Sequence, residues 1–226
     1  SVDEIYKCFQ DVFIFCHLFQ PFIKNMCATK GIYFYLYLIP DKKKFPTNSS
    51  SIERHHVNGG FTTSCTYKQA VHVFRKEEWL RCLIHECMHH FEMDFTHFDE
   101  NENINKTFCV EKPIFVNESF CEFWGEVLNN VFIISQKDDK DKIKTLKHHL
   151  MYEGIFSITQ CVKYLKIHGA TYSDICKNPI KKEVTPGFSY YVLKSILMTN
   201  VIPFLNKACT FSNPLKGSGN TEYFDF

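Results

Sequence analysis

Trp79-Leu80-Arg81-Cys82-Leu83-Ile84-His85-Glu86-Cys87-Met88-His89-His90-Phe91 is the stretch whose reading decides the fold. Leu80, Leu83, Ile84, Cys87, Met88 and Phe91 recur at steps of three and four, the apolar face of a half-buried helix. On that helix His85 and His89 project together, because residues four apart sit about 5–6 Å apart at Cβ. Two imidazoles so placed take adjacent corners of one tetrahedral Zn²⁺. Glu86 stands one position round the helix, beside such a metal rather than on it, where a carboxylate takes a proton from an activated water. The competing account is a pair of satisfied core histidines. With 11 His and 15 Glu in 226 residues, the pattern arises by chance in about 0.03 of such chains, and it falls inside a periodic helix as a metal signature requires.

Upstream, Ile5, Cys8, Phe9, Val12, Phe13, Cys16 and Phe19 keep helical spacing up to Pro21, which predicts a covering helix. Gly31 to Pro40 is the clearest strand, aromatic and β-branched between Gly and Pro. His55 to Thr63 reads as a second strand interrupted by Gly59-Gly60, and Ala70 to Phe74 as a third. If the second is an edge, Asn58, Gly59 and Gly60 are candidates for holding an extended peptide across the metal; an ordinary Asn-Gly hairpin turn is the equal alternative. Downstream, Asp94 to Glu111 is a polar loop, and Val116 to Leu128 is helical again with Glu118, Glu122 and Glu126 four apart. Glu126 reads as a solvated helix residue. Ile143 to His168 reads as one or two helices broken near Gly154, and Gly187 to Asn206 as a last aromatic helix.

Composition bounds the answer. With 45% hydrophobic and 16% aromatic residues, the chain is long enough to bury a core, as a single domain over 1–226. A net charge of +1 supplies no field for nucleic acid or an anionic membrane. The best apolar run, Phe188 to Leu205, is interrupted by Lys194, Asn200 and Pro203, so no spanning helix is expected. Eleven cysteines form no Cys-x-x-Cys pair, and Cys8, Cys16, Cys82, Cys87 and Cys121 fall on apolar helix faces. Free thiols, and no recognisable secretory leader, fit a soluble intracellular protein. Oligomeric state is not readable.

Two histidines leave a catalytic zinc one protein ligand short. A His-x-x-Gly-x-x-His continuation fails, since Glu92 and Phe95 occupy the Gly and His positions. Asp94 and His97 are nearby alternatives. Glu118 is the better candidate, opening the next helix within Asn117-Glu118-Ser119-Phe120-Cys121-Glu122. His85-Glu86-x-x-His89 followed by Asn117-Glu118-x-x-x-Glu122 resembles the gluzincin zinc metallopeptidases, thermolysin-like and aminopeptidase-like, over about residues 70–130.

The resemblance implies an α+β, helix-rich zincin-like domain. Its small N-terminal sheet and active-site helix would form an upper lobe over about 1–95, and a helical lower lobe would cover about 96–226. It implies one Zn²⁺ per chain held by His85, His89 and Glu118, with Glu122 supporting a ligand histidine as outer-shell carboxylates do. Glu122 stands where the family more often has Asp. A downstream Tyr or His holding the oxyanion is also implied, with Tyr190, Tyr191 and His149 as candidates, although an ordinary core residue is the favoured reading of each taken singly. The expected activity is hydrolysis of a peptide or protein substrate by metal-activated water, with Glu86 as base. A zinc-stabilised interaction domain that cleaves nothing, and a zinc hydrolase acting on another amide, are the rivals.

Overall fold

The computed structural model describes residues 2–23, 31–46, 52–63, 70–94, 104, 107–108, 114–177 and 185–210. In chain order the elements are α1 (Val2–Phe19), β1 (Tyr33–Ile39), α2 (Arg54–Val57), β2 (Gly60–Thr62), β3 (Ala70–Arg75), α3 (Trp79–His90), α4 (Val116–Ser135), α5 (Lys142–Ile167), α6 (Lys194–Thr199) and α7 (Val201–Ala208). A wide π-helical turn, Phe188–Leu193, leads into α6. Helices dominate, and the strands form one sheet in the order β1-β3-β2, so the architecture is helix-rich α+β.

The sheet alternates as a half-covered sheet must. Val71 and Val73 of β3 are fully buried toward α3, with Phe34 and Leu36 of β1 beside them. Tyr35, His72 and Phe61 face outward, their rings stacked at 4.7 and 4.2 Å across the strands. β1 runs parallel to β3, and β2 runs antiparallel to it along the sheet edge, with Phe61 opposite His72.

Helix α3 is buried on nearly every side rather than on one stripe: Leu80 through Met88 are all buried, polar residues included. It lies between the sheet and α4. Leu83, Ile84, Cys87 and Met88 are at or below 1% exposure, and each large apolar side chain so placed contributes about 1.5–3 kcal/mol. Helix α4 runs antiparallel to α3 and crosses it closely at Gly125, where a Cβ would stand 3.3 Å from the Arg81 carbonyl and 3.7 Å from the His85 Cβ. That approach brings the Glu118-Glu122-Glu126 row of α4 against the Arg81-His85-His89 row of α3.

Four expectations need correction. His55-His56-Val57 belong to the short helix α2, closed by a capping box between Glu53 and His56, so only Gly60–Thr62 is strand. Helix α5 passes through Gly154 unbroken; there a Cβ would meet the Met198 carbonyl at 3.1 Å, so the glycine serves close packing against α6. The last helix is broken at Asn200, with Phe188–Thr199 and Val201–Ala208 bent by 82°. On α1 the covering face is rotated: Asp11, Phe15 and Phe19 are buried, while Ile5, Phe9 and Phe13 are exposed. Phe15 and Phe19 supply the apolar part of that face, and Lys7 and Asp11 meet Gln136 at 2.7 and 3.5 Å.

The eight cysteines among the described residues are free thiols. No single described helix is long and apolar enough to cross a membrane.

Candidate metal centre

Three donor atoms converge where α3 faces α4. His85 Nε2 lies 3.1 Å from His89 Nε2, and Glu118 Oε2 lies 3.3 Å from His89 Nε2 and 3.4 Å from His85 Nε2. Ligand bonds of about 2.0–2.1 Å in a tetrahedron place its corners about 3.3 Å apart. The triangle therefore has the edge lengths of one face of a tetrahedral zinc site, and the N, N, O donor set suits that ion. His85, His89 and Glu118 form a group able to hold a metal ion, as do His89, Asp94 and Cys121.

Each imidazole has a second partner on its other nitrogen. His89 Nδ1 is 2.5 Å from Asp94 Oδ2, a charge-assisted contact. His85 Nδ1 is 3.2 Å from Glu122 Oε1, close enough for an ion pair but outside hydrogen-bond geometry. Asp94 arrives through the turn that ends α3. The Glu92 N–H donates to the His89 carbonyl and the Met93 N–H to the Met88 carbonyl, a Schellman closure with Glu92 at φ 52. This folds the chain back, buries Met93 against the core and sets Asp94 beside His89. The sequence held no Gly to announce that turn, which is why Asp94 could not be ranked above other nearby polar residues. His97 lies outside the described residues.

Electrostatics follow from burial and these contacts. Burial opposes a charge on His85, but Glu118 and Glu122 outweigh it and push its pKa up to about 9 in the metal-free protein. His89 is likewise raised against its burial, with Cys121, Asp94 and Glu118 as its neighbours. Asp94 is the effective one at neutral pH, because burial holds the Cys121 thiol at about 12 and hence uncharged. Glu118 is held well below the usual carboxylate range, the two histidines outweighing burial. Metal and proton thus compete for the same nitrogens.

Glu86 is 8% exposed and accepts no hydrogen bond from a described residue. Burial raises its pKa, with His85 and His89 partly opposing. It lines a small pocket of about 40 Å³ with His85, Tyr190, Asn58, Gly59 and Gly60. Gly60 leaves no room for a side chain: its Cβ would stand 2.3 Å from the His72 carbonyl and 3.2 Å from the Glu86 Cγ. The pair of glycines thus marks a close approach on edge strand β2, and the hairpin-turn alternative does not describe it.

The oxyanion candidates separate. Tyr190 has its ring 6.3 Å from that of His85, and burial together with the Glu118, Glu122 and Glu86 carboxylates raises its pKa, which keeps the hydroxyl protonated. Tyr191 instead stacks on Tyr164 at 5.4 Å and meets Phe45 at 5.0 Å. His149 is not at the centre: its Nδ1 meets Asn130 Oδ1 at 3.3 Å, twelve residues along α4 from Glu118, or about 18 Å at the helical rise. Glu126 is not solvated but buried, 2.8 Å from Lys194 Nζ. Lys194, an interruption in an apolar run by sequence, is its buried counter-ion 68 residues away.

No protein family, curated protein or solved structure matches this chain.

Proposed function

We propose that this chain is a zinc-dependent peptidase in which His85, His89 and Glu118 hold one Zn²⁺ and Glu86 is the general base. One observation carries the reading: three donors at tetrahedral spacing stand beside a buried carboxylate that has no hydrogen-bond partner among the described residues. A purely structural site has no use for such a group, since it closes its positions with protein ligands. Zinc would supply Lewis acidity, polarising a carbonyl and easing loss of a proton from water.

The chain's own residues do the rest. Glu86, with its affinity for protons raised by burial, accepts the proton from the attacking water and passes it to the leaving amine. Tyr190, neutral and beside His85, donates to the oxygen that gains negative charge. Edge strand β2 offers backbone groups to an extended peptide, and Gly59 and Gly60 let that strand lie close against Cys82 and Glu86. Asp94 and Glu122 orient the two imidazoles. The small sheet over α3 and the helices beneath it are consistent with the zincin-like division into lobes at about residue 95.

The test is Glu86→Gln against wild type on a broad peptide library, with zinc measured in both. Hydrolysis should fall by about 10²–10⁴-fold while zinc content and thermal midpoint stay unchanged. Zinc bound by a wild type that cleaves no peptide would favour an interaction domain or an enzyme of another amide.

A further inference from the structure

Next to the small pocket lies a cavity of about 400 Å³, a size at which small-ligand sites begin. Lys43, Val57, Arg81, Glu122 and Tyr190 line both, so the two spaces adjoin across these side chains. The cavity's apolar walls are largely aromatic: Phe45, Phe156, Tyr190 and Tyr191.

Its charges do not cancel evenly. Arg81 is tied to Glu78 and Glu122, Lys194 to Glu126 and Glu122, and Lys43 to Glu78 at 3.1 Å. Three cations and three carboxylates are thereby used up. Lys44 and Glu77 are exposed at the rim and offset each other. Glu153, half-buried on α5, is left with no hydrogen bond or ion pair among the described residues. The interior therefore carries a net excess of one negative charge among aromatic rings.

Resting on the peptidase reading above, we infer that this cavity receives a cationic side chain, Lys or Arg, flanking the scissile bond of a peptide substrate, with Glu153 as its counter-charge. The aliphatic stem of such a side chain packs on aromatic walls while its head reaches a carboxylate, and a guanidinium or ammonium also gains from the ring faces. An acidic side chain finds every interior cation already paired. Burial and then the Glu126 carboxylate push the Glu153 carboxyl above its ordinary value, with Lys194 and Arg81 only partly opposing, a cost that a bound cation relieves.

The experiment uses the whole zinc-loaded chain and peptides matched except at one residue flanking the cleaved bond: Arg, norleucine or Glu. Wild type should prefer Arg over norleucine by about tenfold in kcat/KM; Glu153→Gln should bring that ratio to within about threefold, and Glu153→Lys should move the preference toward Glu. Each comparison is a ratio within one protein, so partial misfolding of a variant does not imitate the result. Cleavage with no basic preference, or a preference that survives Glu153→Gln, overturns the proposal. Calorimetric binding of N-acetyl-arginine methylamide and its norleucine analogue to the Glu86→Gln chain separates the two readings. If no peptide is cleaved but the arginine amide binds about tenfold tighter in a Glu153-dependent way, the cavity assignment stands and the peptidase reading fails; if it binds no tighter, the cavity assignment fails as well.

Discussion

Between α3 and α4 two buried polar clusters lie side by side, and they balance charge in opposite ways. Around Arg81, three cations (Lys43, Arg81 and Lys194) face three carboxylates (Glu78, Glu122 and Glu126) within ion-pair distance. One helical turn on, Glu86, Asp94 and Glu118 surround two imidazoles, and no Lys or Arg among the described residues pairs with them. The first cluster closes on itself. The second is short of positive charge, and it can gain it only from protons on the histidines or from a bound cation. Protons supply it in the metal-free protein, where both rings are pushed toward the charged form, but they set two imidazolium N–H groups against each other across 3.1 Å. A divalent ion supplies both charges at one point. Burying charge is tolerated where partners are complete, and the incomplete cluster is therefore the place to look for chemistry.

The sharpest way to break this contrast is to remove a nitrogen donor. His85→Ala or His89→Ala should take zinc stoichiometry from one per chain to none and abolish hydrolysis, as read by elemental analysis on the folded protein. A variant that keeps a full equivalent would locate the cation elsewhere. Arg81→Met probes the neighbour: it strips the central cation and leaves buried carboxylates uncompensated, which costs about 3–5 kcal/mol in urea denaturation while zinc stoichiometry stays at one. Loss of zinc in that variant would mean the two clusters act as one.

How much of this was readable without coordinates depends on how each residue is held. His85, Glu86 and His89 come from the local helical spacing of α3, whereas Glu118 is singled out by the resemblance of the Asn117-Glu118-x-x-x-Glu122 segment, which opens the next helix. The partner of Glu126 is not readable, because Lys194 lies 68 positions away and a contact between separate helices leaves no period in the sequence. The buried face of α1 is not legible, because Phe, Ile and Cys occur all round that helix. β1 was legible from its aromatic and β-branched run; α2 was not, since its cap is made by Glu53 and His56 rather than by Ser, Thr, Asn or Asp.

Acidification sharpens the comparison from the other side. Arg81 and Lys43 outweigh the burial of Glu78 and hold its carboxyl at about 2 against an ordinary 4.5. A lowered folded pKa contributes stability that is fully present above 4.5 and is lost as pH falls toward 2. Wild type should lose up to about 3 kcal/mol over that window from this group, and Glu78→Gln should flatten the slope of unfolding free energy there. An unchanged slope would mean that Glu78 is not what holds the closed cluster together.

The smallest expected effect lies on the border between the two clusters, at the carboxylates behind the imidazoles. Outer-shell partners of ligand histidines cost about 10–100-fold in metal affinity when removed. Asp94 is 2.5 Å from His89 Nδ1, accepts a longer bond from Asn117 Nδ2 at 3.4 Å and pairs with no Lys or Arg among the described residues, so its charge acts chiefly on that ring. Glu122 stands 3.2 Å from His85 Nδ1 off the hydrogen-bond line, and the same carboxylate also serves Arg81 at 2.5 Å and Lys194 at 3.3 Å. Its influence on His85 is thus diluted by two cations. Asp94→Asn should weaken zinc binding toward the upper end of that range and Glu122→Gln toward the lower end, in competition titrations against a chelator at fixed pH. Glu122→Gln should in turn lower stability of the metal-free chain more than Asp94→Asn does, because it unbalances the closed cluster. The reverse ranking in both measurements would place Glu122 in the metal site and leave Asp94 as a turn residue of α3.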